Sequence, residues 1–148
     1  MQRGLEAGVG GEEREDLVLK GRAMAYTISI TAGSLTAEAE LNESPTATMI
    51  WDALPITGRA STWGDEIYFE IPVRTQQASD ARADVEVGEL GYWPVGRAFC
   101  IFFGPTPVSA GDQPRAASPV NVVGRVLGDA TVFRKVRSGA TVTLSKRT

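Results

Sequence analysis

Along most of the chain apolar and polar residues alternate with the period of two that belongs to strands. Tyr26-Thr27-Ile28-Ser29-Ile30 alternates, Ala32-Gly33-Ser34 offers a turn, and Leu35-Thr36-Ala37-Glu38-Ala39-Glu40-Leu41 alternates again. The two runs predict a hairpin with one buried face. The period then changes. Ser44-Pro45 sets a capping hydroxyl ahead of a proline at the first helical position, where its missing N–H costs nothing. A helix from Pro45 to about Ala53 follows, with Ile50, Leu54 and either Ala47 or Trp51 facing inward. Pro55 ends it, because the residue before a proline is pushed out of the α region.

Strands return at Glu66–Ile71, which Pro72 stops. Thr75–Asp84 is polar and predicts a loop or ragged edge, and short strands follow at Val85–Val87 and Leu90–Trp93. Ala98–Phe103 breaks the alternation with a continuous apolar run ended by Gly104-Pro105. Such a run predicts a strand buried on both faces. Gly104–Pro119, with four prolines and two glycines, predicts irregular chain. Val120–Leu127 is a further strand. Asp129 can cap a short helix over Ala130–Val136, with Phe133 and Val136 inward and Gly139 at the C′ position. Ala140–Ser145 closes the pattern. About eight strands and two short helices in so short a chain predict a mainly β fold whose sheet closes into a barrel.

Composition narrows the chemistry. At 148 residues and 43% hydrophobic the chain fits one domain. It has no histidine and one cysteine, which excludes Ser-His-Asp and Cys-His catalysis, HExxH zinc sites, a disulfide framework and a thiolate zinc cluster. No apolar stretch approaches the ~18 residues of a membrane span, so no membrane partner is expected. Charge is uneven: residues 24–111 carry eleven acids against four bases, and residues 112–148 carry seven bases against two acids. The bases Arg134, Lys135, Arg137, Lys146 and Arg147 flank an alternating strand and predict a solvated face, with no nucleic-acid partner. Residues 1–23 hold five glycines around the run Glu12-Glu13-Arg14-Glu15-Asp16, with Leu17-Val18-Leu19 as the one apolar stretch. That composition cannot offset the entropy of ordering a packed element. They are expected to be a flexible extension ahead of a domain over 24–148, and Met24 is a candidate start. They lack the apolar core of a secretory signal, and a cytoplasmic protein is expected.

Three phrases carry a resemblance. They are Thr62-Trp63-Gly64-Asp65-Glu66-Ile67-Tyr68-Phe69, then Gly88-Glu89-Leu90-Gly91-Tyr92-Trp93-Pro94-Val95-Gly96-Arg97-Ala98-Phe99-Cys100-Ile101-Phe102-Phe103-Gly104-Pro105-Thr106-Pro107, then Ala117-Ser118-Pro119-Val120-Asn121-Val122-Val123-Gly124-Arg125. In order, over about Tyr26–Lys146, they resemble the small bacterial and archaeal cyclophilin-like domain family of uncharacterised function. The resemblance implies a closed eight-stranded β-barrel with helices covering its ends, and no settled activity. True prolyl isomerases of that fold present an arginine, a glutamine, phenylalanines and usually a histidine, within a Phe-His-Arg type segment that this chain lacks. Their chemistry lowers a rotational barrier of ~18–20 kcal/mol by gripping the proline ring and donating a hydrogen bond to the twisting amide. Of the central arginines Arg59, Arg74, Arg82 and Arg97, Arg59 is the best placed to donate, on the segment leading to Trp63. Surface solvation is its plainer use.

The remaining chemistry is sparse. Cys100 lies mid-strand between Phe99 and Ile101, which predicts a buried, inert thiol. Asp65 and Glu66 are adjacent on a strand and point to opposite faces, so they cannot share a proton. No metal spacing is present and no cofactor is expected. Gly8-Val9-Gly10-Gly11 follows no strand and is no nucleotide loop. The aromatics stand apart. Trp63, Tyr68, Tyr92, Trp93, Phe102 and Phe103 lie in one span among Pro94, Pro105 and Pro107. Core packing is their plain use. The functional reading is a cleft bounded by the Gly104–Pro119 loop, with Gly64, Gly91 and Gly104 admitting a ligand to the backbone and Asn121 adding an amide at the rim. A non-catalytic barrel that binds a peptide or small apolar ligand is expected, the alternative being a weak prolyl isomerase acting through Arg59. Limited proteolysis that trims the chain to Met24 should leave the melting transition unchanged; a cooperative loss of structure on trimming contradicts the assignment of residues 1–23.

Overall fold

A computed structural model describes residues 26–147, so the expected extension over 1–23 lies outside the described residues. The strands are β1 (Tyr26–Ala32), β2 (Leu35–Leu41), β3 (Ile56–Arg59), β4 (Ser61–Thr62), β5 (Glu66–Glu70), β6 (Arg82–Asp84), β7 (Glu89–Trp93), β8 (Ala98–Phe102), β9 (Arg115–Leu127) and β10 (Thr141–Lys146). One α-helix, α1 (Pro45–Ala53), and one 3-10 helix (Ala130–Lys135) complete the described elements. The β1–β2 hairpin pairs Tyr26 with Leu41 through to Ala32 with Leu35, around Gly33 at φ +62°. Helix α1 starts where Ser44 Oγ accepts the Ala47 N–H at 3.2 Å. It buries Thr46, Ala47 and Ile50, while Trp51 and Leu54 are partly buried against the core. No helix of the described residues is long and apolar enough to cross a membrane.

Nine strands follow one antiparallel path, β3-β10-β1-β2-β9-β7-β8-β5-β4, and β6 pairs the first part of β9. Ten strands thus replace the expected eight. β3 and β4 were not foreseen because Ile56 alone of their residues is buried, so no alternation marks them. β6 falls within the segment expected to be a loop, and Val85–Val87 is not a strand, although Val85 N–H donates to the Pro114 carbonyl at 3.2 Å. β9 starts five residues before Val120 and runs through Pro119, which is tolerated because the β6–β9 register shifts between Arg115 and Val120. The second helix is 3-10. Asp129 Oδ1 caps it by accepting the Thr131 N–H at 2.9 Å. Gly139, at φ +92°, belongs to the following turn from Arg137 to Ala140 and not to the helix end. The path ends β3 and β4 are joined by Ala60 but share no ladder among the described residues, so hydrogen bonds do not close the sheet. Between β3 and β5 the Phe69 ring lies where a Cβ on Gly58 would be 2.8 Å away.

β8 is buried at every position, as its unbroken apolar run predicts. Phe99 and Ile101 face the main core with Ile67, Phe69, Leu90, Tyr92 and Phe103. Cys100 and Phe102 face a smaller outer cluster with Val85, Ala116 and Val120, against which Tyr68, Trp93 and Val122 are partly buried. Arg82 fastens the outer layer by bonding both Glu89 carboxylate oxygens at 2.8 Å. On the far side of β9, Gly124 lies opposite Leu41 of β2. A Cβ there would overlap the Glu40 carbonyl oxygen and approach the Leu41 Cα to 2.9 Å. Gly124→Ala should therefore destabilise the protein by ~1–3 kcal/mol, read as a lowered urea midpoint; an unchanged midpoint contradicts the close approach of β2 and β9.

Candidate functional site

The outer cluster opens into a pocket of about 240 Å³ lined by Trp63, Glu66, Tyr68, Trp93, Ala116, Ala117 and Val120. Strand alternation delivers the floor, because Glu66 and Tyr68 share the outer face of β5 while Ile67 and Phe69 take the inner one. Trp63 stands at the β4–β5 hairpin, where its N–H donates to the Glu66 carbonyl at 2.9 Å. Gly64 turns that hairpin at φ +59°, packed so close to Thr106 and Pro107 that a Cβ would come within 2.9 Å of both. Trp93 ends β7, and its indole N–H donates to Ser118 Oγ at 2.6 Å. The ring lies over Gly96 and meets Tyr68 edge to face, centroids 6.5 Å apart. All three rings are half-buried. The Trp63 indole N–H and the Tyr68 hydroxyl have no hydrogen-bond partner among the described residues.

Glu66 is the polar group at the floor, 6% exposed. Burial pushes its carboxyl up to about 7, and a hydrogen bond from the Cys100 thiol acts the other way. The thiol is itself pushed well above its usual range by burial and then by the neighbouring Glu66 carboxylate, which keeps it protonated and inert, as its mid-strand position predicts. Asp65 faces away, as alternation requires, and pairs with Arg134 at 3.1 Å.

Four expected site residues lie elsewhere. Tyr92 is on the inner face, fully buried, its hydroxyl donating to the Val73 carbonyl at 2.7 Å. Phe103 packs in the main core on Phe133, centroids 6.2 Å apart. Asn121 is no rim amide. It is a buried tie whose Oδ1 accepts the Ala78 N–H at 2.7 Å and whose Nδ2 donates to Thr46 Oγ1 and the Gln76 carbonyl. Arg59 is exposed on β3 and donates to the Gly139 carbonyl at 3.2 Å, outside the pocket lining. The space beside Gly64, Gly91 and Gly104 is filled by Pro107, Val120 and Asp65, so these glycines admit protein and not ligand. Glu66 was weighed only as half of a pair with Asp65 and set aside because adjacent strand residues point to opposite faces. The signal lay in the neighbouring strand: a β8 buried on both faces implies that the second face of β5 is covered too.

A sequence model of the cyclophilin-like family matches residues 26–145, and the chain belongs to that family. Among solved structures it is similar to the hypothetical protein AF2241 from Archaeoglobus fulgidus, known from a solution structure. The two are 38% identical with a TM-score of 0.71, over 83% of this chain and 95% of that one. No curated protein matches.

The raised carboxyl has a measurable consequence. Glu66 titrates near 7 in the fold against an ordinary 4.5, so the folded state retains a proton that the unfolded chain releases between those values. The part of its burial cost that comes from ionisation is absent below about pH 4.5 and reaches about 3 kcal/mol by pH 8. Glu66→Gln should raise stability at pH 8 by up to that amount and change it little at pH 4.5. Urea midpoints at both pH values check this, and equal pH slopes in the two proteins would contradict the placement of Glu66.

Proposed function

We propose that this protein binds a small, largely apolar ligand, free or as one side chain of a peptide, in the pocket of Trp63, Tyr68 and Trp93, and catalyses no reaction on it. The observation that carries this reading is the open, aromatic-walled pocket with a single carboxyl at its floor. Its volume of about 240 Å³ is below the ~300–1,000 Å³ of drug-sized sites, which suits a fragment-sized molecule. The walls are set in advance: Ser118 holds the Trp93 indole, and the Gly64 turn fixes the hairpin that carries Trp63. Such pre-organisation reduces the entropy lost on binding. We read the sheet as a barrel closed by side-chain packing, supported by the contact of Phe69 with Gly58.

The isomerase alternative has less support. Isomerisation needs a donor aimed at the twisting amide, and Arg59 is occupied outside the pocket lining. An Ala-Pro peptide should therefore exchange at its uncatalysed rate in the protein's presence, as read by NMR exchange spectroscopy. Binding is tested by a fragment titration followed on the indole N–H resonances of Trp63 and Trp93. Apolar fragments should shift both, and Trp93→Ala should weaken binding at least about tenfold, since a buried aromatic wall contributes more than ~1.4 kcal/mol. Fragments that leave both indoles unmoved would refute the pocket as a binding site.

A further inference from the structure

Resting on that reading, we infer that the ligand is a small organic cation, an alkylammonium or trimethylammonium head group held among Trp63, Tyr68 and Trp93 with Glu66 as its counter-ion. The acids of the fold supply the first argument. Glu38, Glu70, Asp65, Asp84 and Glu89 each pair with an arginine. The described residues hold two buried acids, Glu66 and Glu89. Glu89 receives a two-pronged guanidinium and the Glu86 N–H. Glu66 has no lysine or arginine within ion-pair distance among the described residues. A buried carboxylate is costly unless a cation joins it, and here the open side of the pocket is where a cation can enter.

The rings supply the second argument. The faces of tryptophan and tyrosine carry the negative end of the ring quadrupole, and a desolvated ammonium over them is drawn to it. Trp63, Tyr68 and Trp93 line the same pocket as that carboxyl, Tyr68 and Trp93 standing edge to face. The remaining lining is Ala116, Ala117 and Val120, which offers methyl contacts to alkyl groups and no competing hydrogen bonds from side chains. A hard metal ion would want several oxygens, whereas an ammonium that carries methyl groups wants a carboxylate and an aromatic wall. A neutral apolar ligand would leave the carboxyl unmatched.

The groups that face Glu66 decide the pH dependence. Across β8 they are the Cys100 thiol and the Phe102 ring, along β5 the Tyr68 phenol, and on β9 Ala116 and Val120. Glu66 is the one carboxyl in this lining, which holds no lysine or arginine. Binding that requires the carboxylate has an apparent affinity scaled by its ionised fraction. With the carboxyl at about 7, affinity for a permanent cation should rise about tenfold from pH 6 to pH 8.

Choline and its uncharged carbon isostere, 3,3-dimethyl-1-butanol, make the test, titrated at pH 6 and pH 8 while the Trp63 and Trp93 indole resonances are followed. Choline is expected to bind about tenfold or more tightly than the isostere at pH 8 and to lose about tenfold at pH 6. The isostere should show no pH dependence, and Glu66→Gln should remove the preference while leaving isostere binding intact. The wild-type pH profile stands even where that variant fails to fold. A short peptide bearing trimethyllysine separates a head group carried on a chain from a free one: tighter binding than choline assigns the former, weaker binding the latter, and either supports the ammonium chemistry. Choline binding no tighter than the isostere, with both shifting the indoles, overturns the cation and keeps the pocket. No shift from either ligand overturns both.

Discussion

The double burial of β8 is the constraint on which the architecture rests. A strand with apolar side chains on both faces must be covered twice, and here the two covers differ in kind. One is the main core, where Phe99 and Ile101 meet the inner faces of β5 and β7. The other is a thin layer made from Val85, just after β6, and from Ala116 and Val120 of β9. The thin layer has few residues to work with, and it leaves a gap between Trp63, Trp93 and Ala117. The pocket is thus where the second cover runs out.

Much of this was legible along the chain. The β1–β2 hairpin, the Ser44-Pro45 helix start, the Asp129 cap and β8 followed from period, capping chemistry and an unbroken apolar run, because each is decided by residues close in sequence. β3, β4 and β6 were illegible for the opposite reason: they are short, mostly exposed, and exist because a partner strand offers hydrogen bonds. The aromatic span pointed to the right region and mixed two faces of one sheet. Tyr92 and Trp93 are neighbours in sequence and therefore on opposite sides of β7. Tyr92 pairs with Phe99 in the inner layer, while Trp93 borders the pocket. Asn121 was read for its hydrogen-bonding capacity, correctly, but that capacity is consumed by Thr46, Gln76 and Ala78.

Glu66 shows how a local rule and a tertiary demand can conflict at one position. Alternation places it on the face of β5 that would ordinarily meet water, and the outer layer then covers that face. Elsewhere in the fold the same conflict is relieved, since Arg82 reaches Glu89 and the backbone supplies a further donor. At Glu66 it is left standing, next to a thiol that offsets only part of it. A sequence that retains an acid under such cover tolerates a stability cost at neutral pH, and such tolerated costs concentrate where a protein meets something else.

The division into two covers also bears on how the family could diversify. The inner layer has its packing shared among β1, β2, β3, β5, β7, β8, β9 and β10, so a change there disturbs several strands at once. The pocket lining draws its side chains from the opposite faces of β5, β7 and β9. Exchanging Glu66, Trp63 or Ala117 would alter the shape and charge of the pocket without touching a side chain of the main core. One scaffold could therefore carry a changing pocket over evolutionary time, its lining drifting while its architecture is inherited whole.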